Sequence, residues 1–91
     1  MDNSYLPLGS IVLLKKATKK IVVIGYLVKE DGKEKYWDYL GAPYPLGVLE
    51  PNKNLLFDRE QIEKVVFTGY SDEEGKKVID FLNNRDKEDN V

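Results

Sequence analysis

Apolar residues in this chain gather in short runs separated by turn-prone clusters. Ile11 to Leu14 are four consecutive apolar residues shortly after Pro7 and Gly9, and they read as a buried strand. Residues 20–29, "KIVVIGYLVK", form a second and stronger run, interrupted only by Gly25. Ala17 and Thr18 lie between the two with lysines on both sides, so they mark a hairpin tip. Asp31-Gly32 is a two-residue hairpin signal. The run "KYWDYL", Lys35 to Leu40, is then the third strand of an antiparallel meander. It leads into the stretch "DYLGAPYPLG", Asp38 to Gly47, where two prolines and two glycines fall within seven residues and predict a rigid corner.

Past the corner the pattern changes. Asp58 and Gln61 have the spacing of a helix N-cap and its reciprocal partner, which predicts about one helical turn, and "VVFTG" at 65–69 returns to strand. Ser71 and Glu74 repeat the capping-box spacing, with Asp72 and Glu73 adding negative charge where the helix dipole favours it. Val78, Ile79, Phe81 and Leu82 follow as one apolar stripe, so a helix over roughly 72–84 is expected. Residues 85–91 have no apolar period and are expected to be a disordered acidic tail, leaving 1–84 as a single domain. The fold class is α+β: a small antiparallel sheet of four to five strands, open or barrel-like, with a short helical turn and one C-terminal helix packed on it.

The second strand raises a question of coverage. Strict alternation puts Ile21, Val23 and Leu27 on one face, and Val22, Ile24, Tyr26 and Val28 on the other. Both faces are apolar, whereas a sheet with one wet face alternates apolar with polar residues. One helix covers one face. The other is left for sheet curvature, the N-terminal segment or another protein.

Composition then excludes several functions. Ninety-one residues make one domain, and at that size folding buries only about 60–65% of the unfolded chain's surface. Lys and Arg number 14 against 16 Asp and Glu, a formal net charge of −2 without the basic footprint of a nucleic-acid-binding domain. Cysteine and histidine are both absent, which removes disulfides, thiol nucleophiles, the usual zinc ligands and the commonest general base. No run approaches the ~18 apolar residues of a membrane span, and "MDNSYLPLGS" lacks the features of a signal peptide. A cytoplasmic protein with no membrane association, no enzymatic activity, no metal and no cofactor is expected.

The remaining candidates are surfaces. The carboxylates in "EDGKE", "SDEE" and the tail read as a turn, a helix start and solvated charge. Lys15, Lys16, Lys19 and Lys20 with Tyr36, Trp37 and Tyr39 imitate an RNA-binding small barrel. The simpler reading, lysines that keep a hairpin tip soluble and discourage edge pairing, fits the negative net charge better. "GAPYPLG" matches no phosphate loop, and proline has no N–H to offer an anion. A preorganised corner bearing Tyr44 and Leu46 still suits protein binding. In the aromatic strand Trp37 and Tyr39 share a face and Tyr36 opposes them. One set belongs to the core and the other to an aromatic patch of the kind enriched at interfaces. The candidate partner-binding residues are Tyr26, Tyr36, Trp37, Tyr39, Tyr44 and Leu46.

From Leu6 to Leu82 the chain resembles the domain of unknown function 4176 family. The segments that carry the likeness are "LPLGSIVLLKKATKKIVVIGYLV", "YWDYLGAPYPLGV" and "LFDREQIEKVVFTGYSDEE", and its most specific pieces are the "LPLGS" opening, the "YPLG" corner and the I-x-x-V-x-F-x-G-Y-x-D-E-E ending, Ile62 to Glu74. Some relatives are expected to carry Glu at the position of Leu46, a departure that leaves the loop geometry alone and changes a contact. The resemblance implies a setting in Gram-positive type VII secretion gene clusters that encode LXG-domain toxins. It implies a small accessory protein, a chaperone or targeting factor, with such a toxin as partner; it supplies no catalytic residues. An immunity protein for the same toxin and a nucleic-acid-binding small barrel are the alternatives, and a homo-oligomer is left open.

Overall fold

The computed structural model describes residues 4–89. Five strands form one open antiparallel sheet: β1 (Ile11–Leu14), β2 (Lys20–Lys29), β3 (Tyr36–Pro43), β4 (Leu55–Phe57) and β5 (Ile62–Phe67). Their order across the sheet is β4-β3-β2-β1-β5. The first three strands are the expected meander. β3 continues three residues beyond Leu40, through Gly41, Ala42 and Pro43, so the corner starts at Tyr44. Short 3-10 turns at Pro51–Lys53 and Arg59–Gln61 flank β4. The second carries the anticipated reciprocal cap between Asp58 and Gln61. One α-helix, α1 (Glu73–Asp89), ends the described residues. Asp72 caps it, accepting the Gly75 N–H at 2.9 Å, one residue later than the Ser71 box predicts.

The sheet is neither flat nor regularly alternating. Between Val23 and Gly25 the β2–β3 register shifts by one residue, a bulge that changes which side chains share a face. Tyr26 pairs with Tyr39, and therefore lies with Ile21 and Val23 rather than with Val22 and Ile24 as strict alternation predicts. Leu27 breaks the alternation again with a φ of 50°, the left-handed region that bulky side chains rarely adopt.

One face holds the core: Tyr5, Val12, Ile21, Val23, Tyr39, Phe57, Ile62 and Leu82. Gly41 makes this packing possible. A Cβ there would meet Ile21 Cγ2 and come within 2.8 Å of Phe57 Cε1, so the two side chains close over bare backbone. The N-terminal segment runs along this face and joins β2 through Gly9 N–H to Val23 O and Val23 N–H to Ser10 O, both 2.8 Å. Ser10 is fully buried and satisfied: its hydroxyl donates to Pro7 O at 2.7 Å and accepts the Gly69 N–H at 2.9 Å.

The helix docks on the same face with Leu82 buried and Ile79 half-buried. The expected four-residue stripe is only half used, since Val78 and Phe81 are exposed. The helix also runs through 85–89, where a tail was expected. Arg, Lys and Glu there are good helix formers, and no Gly or Pro stops them. Residues 90 and 91, the end of the expected tail, lie outside the described residues.

Candidate partner-binding site

The helix and the N-terminal segment both lie on the core face, and the sheet does not close. The second face is therefore apolar and only partly covered. Phe67, Ile11, Val22 and Ala42 line up across four strands through their pairings. Leu40 pairs with Leu56 in a neighbouring row. Of these, Ala42 is buried; Ile11, Val22, Leu40 and Leu56 are half-buried. Ile24 and Phe67 are exposed by 37% and 58%.

The six candidate residues fall into three environments. Tyr39 belongs to the core. It is fully buried, with ring centroids of Tyr5, Tyr26 and Phe57 at 5.7, 6.0 and 5.2 Å, and its hydroxyl accepts the Leu6 N–H at 2.8 Å. Burial pushes its pKa up to about 12. As a surface anchor Tyr39 is ruled out by position. Tyr26 is half-buried beside it and donates its hydroxyl proton to Leu6 O, and burial raises its pKa too. The rest of Tyr26 lines a small pocket of about 200 Å³ with Leu8, Tyr70 and Val78.

Trp37 and Tyr36 mark the start of β3. Trp37 is half-buried, and it faces away from the Tyr39 cluster into a groove of about 480 Å³ with Val28, Leu40, Leu55 and Leu56. Sequence alternation placed Trp37 with Tyr39. The left-handed Leu27 on the neighbouring strand puts Val28 beside Leu40, within reach of the space above Gly25, and the groove forms on that side. Trp37 is held firmly: Nε1 donates to Glu30 Oε1 at 3.2 Å, and Lys35 Nζ sits 3.8 Å from its ring centroid. In the groove wall Asn54 Oδ1 is buried without a hydrogen-bond donor. Tyr36 is 51% exposed beside Lys29.

Tyr44 and Leu46 stand at the far end of β3, both exposed. Seven residues of extended chain separate Tyr44 from Trp37, about 23 Å. The structure thus divides the predicted patch into a Trp37 groove and a Tyr44 corner.

The pattern-based reading passed over two features. One is β4, whose Leu55 and Leu56 line the groove while Phe57 enters the core; three consecutive apolar residues after a turn are the signal that marks such a strand. The other is Asp38, whose carboxylate accepts from Tyr5 OH at 2.9 Å and from Arg59 N–H and Nε at 2.9 and 3.0 Å. The Arg59 guanidinium lies over the Tyr5 ring at 4.1 Å, and Asp58 Oδ1 accepts the Asp38 N–H at 3.1 Å. This network ties the N-terminal segment and the β4–β5 turn to β3. Both carboxylate oxygens of Asp38 and both of Asp58 are engaged within this cluster.

Among the described residues no group of His, Cys, Asp and Glu gathers in a metal-binding arrangement, and no helix is long and apolar enough to cross a membrane. A family model described as a Domain of unknown function (DUF4176) matches residues 5–78. No curated protein and no solved structure matches the chain.

Proposed function

The chain belongs to the DUF4176 family, and from that premise we propose that it is a non-catalytic accessory protein of a type VII secretion locus, acting as chaperone or targeting factor for an LXG-type toxin. The secretion setting is the one implied by the sequence resemblance. The observation that carries a binding role is the second face of the sheet, where apolar rows run from Phe67 to Ala42 and beside the Trp37 groove and are only partly covered by the described residues. Burying such surface is the main favourable term in protein association. A groove with a fixed Trp wall also supplies the aromatic anchor that dominates interface energies. The ionic cluster around Asp38 is committed to holding the fold together, and it offers no free acid or base.

Co-purification with separate fragments of a neighbouring toxin tests the proposal. Capture of the N-terminal or middle region with toxicity intact supports a chaperone or targeting factor. Capture of the C-terminal effector domain with toxicity neutralised makes the protein an immunity factor instead. Capture of no fragment, from a monomeric and very stable protein, refutes the binding role.

A further inference from the structure

We propose that the end of the sheet formed by the β1–β2 hairpin and the Tyr44–Leu49 corner is a peripheral docking surface for an anionic lipid bilayer, independent of the Trp37 groove. Two observations converge there. Lys15, Lys16, Lys19 and Lys20 are all exposed on the hairpin, and among the described residues no carboxylate lies in ion-pair range of any of them. Beside them the corner presents Leu46, Val48 and Leu49, exposed by 66%, 52% and 69%. The two are joined directly: Tyr44 N–H donates to Lys20 O at 3.1 Å, and Lys20 Nζ stands 5.9 Å from the Tyr44 ring centroid. The corner is also braced by Gly47 N–H to Pro43 O at 2.7 Å, so its aliphatic side chains project from a closed turn.

The residue types favour a bilayer over an acidic protein. All four cations are lysines, point charges suited to a diffuse anionic surface, whereas the planar fork of arginine serves defined carboxylate pairs. The projecting side chains are Leu and Val, which are under-represented among protein-interface anchors and suit the boundary between headgroups and acyl chains. Tyr44 sits at their base, where an aromatic ring with a polar tip matches the headgroup level. The net charge of −2 makes the local excess of lysine stand out from the rest of the chain. Lysine clusters beside apolar anchors are attracted to anionic leaflets in proportion to their number. The absence of a spanning helix among the described residues bears only on crossing the membrane, not on binding its surface.

Co-sedimentation of the full chain with vesicles tests this. With equimolar phosphatidylglycerol and phosphatidylcholine the protein pellets, with phosphatidylcholine alone it stays in solution, and salt near 1 M, where the Debye length falls to about 3 Å, releases it. Lys15→Gln with Lys19→Gln weakens partitioning about 30-fold. Leu46→Ser with Leu49→Ser weakens it about tenfold or more. Far-UV circular dichroism confirms that these surface variants keep the fold. No sedimentation with the anionic vesicles at low salt overturns the proposal, as does equal binding to both vesicle types or unchanged binding by both variants. Capture of an acidic protein through these residues without vesicle binding also overturns it, while leaving toxin capture through the Trp37 groove unaffected.

Discussion

Replacing Tyr39 with Phe removes one hydroxyl from the middle of the core and separates two effects by pH. Near neutrality the loss strands the Leu6 N–H, which donates to that oxygen at 2.8 Å. An amide left without its acceptor costs about 1–3 kcal/mol. At high pH the native hydroxyl becomes a liability. Burial raises its pKa from 10.0 to about 12, so the folded state holds the proton that the unfolded chain releases. A raised folded pKa contributes stability that is complete below pH 10 and lost as pH rises through 12. The loss amounts to about 1 kcal/mol by pH 11 and about 2 kcal/mol by pH 12. Phe has no such proton. Urea unfolding of both proteins between pH 8 and pH 12 should therefore show Tyr39→Phe less stable at the start, with the gap closing steadily above about pH 10. Alkaline effects remote from Tyr39 are common to both chains and cancel in the difference, whereas Tyr26, whose ring lies 6.0 Å away, interacts with Tyr39 and calls for a Tyr26→Phe background as control. A gap that stays constant across that window refutes the buried, hydrogen-bonded placement of Tyr39.

Gly41→Ala should destabilise by about 1–3 kcal/mol or more, because the added methyl meets Ile21 and Phe57 within the core; unchanged denaturant midpoints show that Phe57 does not lie over β3. Gly47→Ala is expected to cost about 1 kcal/mol, since φ there is 76° while no heavy atom lies within 4 Å of the new methyl; a thermal melt that does not move means the corner relaxes freely. Trp37→Ala should lower toxin affinity by about 2 kcal/mol or more while the isolated domain stays folded, read by titration calorimetry; wild-type affinity for the captured fragment moves the interface away from the groove.

The local signals in the sequence were reliable wherever one segment decides its own conformation. The apolar run at Ile11 to Leu14 and the Asp58–Gln61 cap form as their residues predict, and Asp31-Gly32 does turn the chain, although inside a six-residue loop between the paired Lys29 and Tyr36 rather than as a two-residue hairpin. The failures arise where a neighbour decides. Alternation along β2 assigns Tyr26 to the second face, and a single extra residue between Val23 and Gly25 moves it into the core. The end of α1 escaped for a different reason: residues 85–89 include no apolar residue, so periodicity carries no signal there.

The division of the aromatic strand shows why the site was less legible than the fold. Tyr36, Trp37 and Tyr39 were visible as an excess of aromatic surface, but which of them faces out is settled by tertiary contacts, with Tyr39 in the core and Trp37 in the groove beside Leu40 and Leu56. Tyr39 is then claimed by Tyr5 and by Leu6, both from the N-terminal segment. That segment and α1 meet each other through Tyr5 N–H and Asn83 Oδ1 at 3.0 Å, so the two mobile resources of a short chain are spent on the same face. β4 is only three residues long and adds floor to the Trp37 groove without roofing it. The second face stays partly open because α1 and the N-terminal segment both pack on the core face. Trp37 itself stays only half-buried at the groove, which is the condition under which Trp37→Ala separates binding from folding.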